Sequence, residues 1–163
     1  MFLFYGFSGL IDFQNMLNKL KENQFKIFTA IIVVIGLALI RTFENKLFYD
    51  PFLVYFKADF HSIPYPEVQN LKLFWGLFLR YFLNSALSLL LIYALFQNRD
   101  IFKFSLFVYA FFLVVLLTSF FIILQFFPDA GWLLFYVRRF IIQPILVLLF
   151  IPGFYYQLQK SKK

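Results

Sequence analysis

Two of the stretches in this chain that are long and apolar enough to cross a bilayer contain arginine in their interior. Leu73–Phe96 reads LFWGLFLRYFLNSALSLLLIYALF and holds Arg80; Trp132–Tyr156 reads WLLFYVRRFIIQPILVLLFIPGFYY and holds Arg138 and Arg139. A cation in hydrocarbon costs from about 2.5–3.5 kcal/mol on insertion scales to far more in simulation, so it persists where it faces protein, water or a polar ligand. Two readings compete. Either these arginines reach headgroups or pair with carboxylates for assembly alone, or they form a site.

The rest of the composition agrees with a bilayer as solvent. Hydrophobic residues make up 63% of the chain and 28 of the 163 residues are Phe. A soluble domain of this size has no interior able to hide so much apolar surface. Four segments fit a requirement of about 20 apolar residues per crossing: Phe25–Ile40, Leu73–Phe96, Ile101–Phe127 and Trp132–Tyr156. The first spans only if Lys26 and Arg41 extend their stems to the two interfaces. The expected fold is an all-α membrane protein with four transmembrane helices in a single domain, residues 25–163.

Orientation follows the basic residues. With both termini inside, the inner segments hold Lys19, Lys21, Lys26, Arg99, Lys103, Lys160, Lys162 and Lys163. The outer segments hold Arg41, Lys46, Lys57 and Lys72, offset by Glu44, Asp50, Asp59, Glu67 and Asp129. N-in and C-in is therefore expected, and the net charge of +7 is a topology signal. No basic stripe on a soluble module points to nucleic acid. Residues 1–24 read as a separate amphipathic segment, with Leu10, Phe13, Leu17 and Leu20 on one helical face, suited to an in-plane helix. They lack the basic start and small-residue cleavage site of a signal peptide, and Met16 is an alternative start.

The outer connection, Arg41–Leu71, contains LFYDPFLVYF at Leu47–Phe56. Ten residues are too few to cross and too apolar to float, so this piece is expected in the interface or tucked back into the bundle as a re-entrant loop. Pro51 disfavours the α conformation in the residue before it, placing a break at Asp50.

Arg80 is followed four positions later by Asn84, and Arg139 by Gln143. Each pair shares one helix face, so each helix offers a guanidinium and a carboxamide in one strip, roughly 10 Å below its outer end. The strips, RYFLN and RFIIQ, read either as a duplicated hairpin or as coincidence between apolar helices. The expected intramembrane cluster is Arg80, Asn84, Arg138, Arg139 and Gln143, with Arg139 turned inward and Arg138 reaching toward headgroups or the outer loop. Glu44 and Asp50 are the expected counter-charges, because both lie beside or within the apolar stretch that should dock. Pro144 and Pro152 predict a bent fourth span, near the carbonyls of Phe140 and Leu148.

Catalytic chemistry finds little support. The chain has no cysteine, which removes disulfides, thiolate metal sites and a cysteine nucleophile. Gly6-Phe7-Ser8-Gly9 matches the GxSG string of intramembrane serine proteases, but its serine stands outside any span and the lone His61 lies in the outer loop. No nucleophile–base pair, metal cluster or cofactor site is expected.

The strings RTFENKLFYDPFLVYFK, LRYFLNSALSLLLIYALF and RRFIIQPILVLLFIPGFYYQ resemble the exosortase F system-associated membrane proteins, from about Phe25 onward. The resemblance implies a multi-pass protein of the bacterial inner membrane, partnered by an exosortase, an integral membrane enzyme that processes sorting tails. Exosortases rely on a cysteine nucleophile, so this chain reads as a non-enzymatic accessory subunit aiding assembly or tail presentation. The alternative is a small protein that binds or transports an anionic ligand or lipid through Arg80 and Arg139. Transport through four spans would require a homo-oligomer.

Overall fold

The computed structural model describes residues 24–58 and 64–160. The amphipathic amino-terminal segment, the GxSG string, Asp59 and His61 lie outside those residues. Within them all regular structure is helical: α1 (Gln24–Thr42), α2 (Glu44–Leu47), α3 (Phe52–Tyr55), α4 (Asn70–Phe96), α5 (Arg99–Phe126), α6 (Gly131–Ile142) and α7 (Ile145–Lys160). Three of these, α1, α4 and α5, are long and apolar enough to cross a membrane. The pair α6 and α7 makes a fourth if its 60° bend lies within one span.

α4 is the central helix, with 56% of its apolar stretch inside the protein against 22% for α5 and 11% for α1. Its buried stripe steps through Leu73, Leu77, Arg80, Tyr81, Asn84, Ser88 and Ile92, the 3.6-residue period of one helical face. Arg80, Asn84, Ser85 and Ser88 therefore point into the bundle. Large apolar side chains such as Phe82, Leu90, Phe107 and Val114 face outward, the arrangement hydrocarbon favours.

The α4–α5 turn is set locally. Gln97 adopts the left-handed conformation (φ 50°) and its N–H closes on the Tyr93 carbonyl, ending α4. Asn98 then caps α5, its Oδ1 accepting from the N–H groups of Asp100 and Ile101 at 2.8 and 3.2 Å.

The break between α6 and α7 falls at Gln143-Pro144. Gln143 is extended (ψ 139°), as a residue before proline should be, and Pro144 has no N–H to continue the ladder. Asn84 Nδ2 donates to the Ile142 carbonyl at 2.9 Å, satisfying an acceptor at the helix end. Pro152 sits inside α7 without ending it. The expected bend thus occurs at the first proline.

The apolar stretch between α1 and α4 tucks into the bundle. Phe48, Phe52, Leu53 and Tyr55 are buried, and Phe52 meets Phe120 of α5 edge-on at 5.7 Å. Asp50 lies in the non-helical break between α2 and α3. Gly76 makes this docking feasible: a Cβ there would stand 2.5 Å from the Tyr49 carbonyl oxygen, which is backbone and cannot yield. Tyr65 ties down the far end by donating its hydroxyl to the Phe127 carbonyl at 3.1 Å. Burial, with Tyr55 and Asp129 nearby, raises this hydroxyl above its ordinary pKa of 10.0, so it stays a donor at neutral pH.

Candidate functional site

The largest side chain that is fully enclosed is Arg80, 1% exposed at the middle of α4's buried stripe. Enclosing a guanidinium demands compensation, and two carboxylates supply it. Glu44 Oε2 receives Arg80 Nη2, and Asp50 Oδ2 lies 3.5 Å from Arg80 Nη1. Asp50 in turn is gripped by Arg138, whose Nε stands 3.0 and 3.3 Å from its two oxygens while Nη2 donates to Oδ2. This forked geometry is the guanidinium's particular advantage over an ammonium. Glu44 is also met by Arg41 Nη1 at 3.0 Å.

The result is an alternating row of charges: Arg41, Glu44, Arg80, Asp50, Arg138. Each carboxylate sits between two cations, and the row joins α1, α2, the α2–α3 break, α4 and α6. The Asp50 and Arg80 side chains are 3% and 1% exposed, so water screens the inner pairs little. Aromatic faces complete the lining: Phe48 lies 5.9 Å from the Arg80 guanidinium carbon and Phe56 5.8 Å from that of Arg138. Arg80 Nε and Nη1 make no hydrogen bond among the described residues, Nη1 meeting Asp50 only through the 3.5 Å ion pair.

The predicted site residues separate into two groups. Arg80, Arg138, Glu44 and Asp50 come together, and Asn84 lies one turn further along α4, holding the end of α6. Arg139 and Gln143 do not join them. Arg139 is exposed and its Nε donates to Gln143 Oε1 at 3.1 Å, so the predicted strip exists but faces away from the core. The inward assignment of Arg139 is thereby corrected. Arg138 takes the buried position because it continues the stripe Leu134, Arg138, Ile141, and it meets the connection through Asp50.

Two contributors were not foreseen. Arg41 extends the row, and its i,i+3 spacing from Glu44 was a usable sign. Lys57 joins Arg41 and Arg139 on an open cleft beside the network. Deeper in the bundle, Tyr81 donates to the Tyr109 carbonyl at 2.9 Å and Ser88 to the Asn84 carbonyl at 2.7 Å, which continues α4's polar stripe.

Chemically, the network can hold charge and position: Glu44 and Asp50 match its two buried arginines, and the third, Arg41, stands at its exposed end. Among the described residues no cluster of His, Asp or Glu is placed to hold a metal ion. Compared with known family models, curated proteins and solved structures, the chain matches none.

Proposed function

We propose that this chain is a non-enzymatic accessory subunit of an exosortase-type protein-sorting system in the bacterial inner membrane. It assists assembly of the enzyme or presents the sorting tail. The observation that carries the reading is the closed charge row. Arg80 and Arg138 are neutralised by Glu44 and Asp50, so the buried arginines fix the protein's own shape and leave no cation free at the centre for a reacting group. The alternative of an anion held jointly by Arg80 and Arg139 is disfavoured for the same reason, since Arg80 is enclosed and Arg139 faces outward.

In this reading the protein has four spans with both termini inside. Twelve residues of α6 and sixteen of α7, joined at 60°, project about 30 Å along α6, the hydrocarbon thickness. That length supports reading the broken pair as a fourth span. Exposed apolar side chains along α1 and α5, including Ile31, Val34, Phe107 and Phe111, offer faces for a helical partner in the membrane.

The test is co-expression with an exosortase and affinity recovery in mild detergent. Stoichiometric recovery, with loss of sorting when the chain is deleted, supports the reading; a clean monomer with unchanged sorting refutes it. Topology is read separately, since the chain has no native cysteine: Asp129→Cys and Lys103→Cys should label from opposite sides of the membrane.

A further inference from the structure

Beside the charge row, between α6 and α3 with the residues that follow it, lies a half-open cleft of about 280 Å³. Arg41, Lys57 and Arg139 line it together with Gln143, and Glu44 and Arg138 close its inner wall. The electrostatics are unbalanced. Glu44 and Asp50 supply two negative charges, whereas Arg41, Arg80, Arg138, Arg139 and Lys57 supply five positive ones, an excess of three. That excess sits on the open side: Arg41, Lys57 and Arg139 are all exposed, and the only side-chain hydrogen bond of Arg139 among the described residues is the one from Nε to Gln143. The floor is apolar, formed by Leu53, Phe56, Phe135 and Ile142. Phe43 and Phe140, the chain neighbours of Thr42 and Arg139, are 45% and 47% exposed.

We propose that this cleft binds the phosphate of an anionic phospholipid, with Lys57 and Arg139 as its principal contacts and the acyl chains lying against the neighbouring apolar surface. Cations alone would suit any phosphate. The apolar floor and surround select an amphiphile, because a soluble anion would have to leave water beside hydrocarbon-facing rings without replacing their contacts. The site is independent of the proposed accessory role, since it uses residues that the closed network leaves free.

The experiment is native mass spectrometry of the full chain in detergent, titrated with phosphatidylglycerol, with phosphatidylcholine and, separately, with inorganic phosphate. The anionic lipid should bind better than phosphatidylcholine by about 30-fold, the effect of two basic side chains at one headgroup. Lys57→Gln with Arg139→Gln should abolish that preference. Lys57→Arg with Arg139→Lys, which keeps both charges, should retain it, as should Arg99→Gln with Lys103→Gln elsewhere on the chain. Equal binding of the two lipids, or an undiminished preference in the glutamine variant, overturns the proposal. So does loss of the preference in the charge-conserving variant. Tighter binding of inorganic phosphate than of the lipid overturns the assignment to a headgroup.

Discussion

Asp50→Asn is the sharpest perturbation of the charge row, because it removes charge while keeping shape. The Asp50 side chain is 3% exposed, accepts from Arg138 through both oxygens and faces Arg80 Nη1 at 3.5 Å. The amide keeps one acceptor but turns the other oxygen into a donor directed at guanidinium groups. Arg80 retains Glu44; Arg138 retains no carboxylate among the described residues. The loss is therefore that of one buried cation left without its partner, about 3–5 kcal/mol. That is a fifth or more of the roughly 5–15 kcal/mol typical of a whole domain.

The assay is unfolding by sodium dodecyl sulfate from mild-detergent micelles, followed by circular dichroism. Glu67→Gln, at an exposed acid of the same connection, serves as the control and should change stability by less than about 0.5 kcal/mol. Combining Asp50→Asn with Arg138→Leu should cost less than the two single changes added together, by about 0.5–3 kcal/mol, since each removes the other's partner. If Asp50→Asn and Glu67→Gln prove equally mild, the arginines are not held by Asp50 and the account of the network fails.

Three further substitutions probe other joints of the same structure. Gly76→Ala drives a methyl into the Tyr49 carbonyl and should destabilise by about 1–3 kcal/mol, measured in the same unfolding assay. Arg138→Leu should be far more damaging than Arg139→Leu, because only the former takes the forked partner from buried Asp50 and leaves it the 3.5 Å contact to Arg80; equal tolerance would contradict the observed burial. Asn84→Ala leaves the Ile142 carbonyl without its donor and should cost about 1–3 kcal/mol, with increased mobility of a spin label placed on α7.

The partners of the arginines were legible because the physics allowed few alternatives. A buried guanidinium needs an anion, and Glu44 and Asp50 were the acids attached to an apolar stretch too short to span. Proline chemistry likewise pointed to a bend in the fourth span, since a missing N–H is visible in one letter, but it named Pro144 and Pro152 alike and the break falls at the first, while α7 continues through the second. The choice between Arg138 and Arg139 was not legible. Their helical stripes, Leu134-Arg138-Ile141 and Phe135-Arg139-Ile142, are equally apolar, so periodicity offered no preference. The Gln143 carboxamide tipped the expectation toward Arg139, yet the pair it forms with Arg139 is a local i,i+4 contact that needs no core. Position was decided by Asp50, which approaches from a different part of the chain. Gly76 was also silent in the sequence: its role is the close passage of Tyr49, a contact between elements rather than a feature of either.

Why a chain this apolar uses ions to fasten its connection follows from the solvent. In water, burying Phe48, Phe52 and Leu53 would itself hold the segment, at about 1.5–3 kcal/mol per side chain. In or beside a bilayer the competing environment is lipid, which accepts the same side chains almost as well, so apolar burial secures the segment near the membrane without choosing its seat. The charge row makes the choice, because Arg80 can be neutralised only where Glu44 and Asp50 arrive together. Replacing the inner network with apolar residues (Glu44→Leu, Asp50→Leu, Arg80→Met and Arg138→Leu) should therefore leave helix content and membrane association intact, since no buried charge remains unpaired. What it should lose is position. Distances between spin labels at Val54, exposed on α3, and Phe126, at the end of α5, should broaden markedly relative to the parent. A distribution as narrow as the parent's would mean that shape complementarity around Phe52 and Phe120 seats the connection by itself, with the ions following rather than directing it.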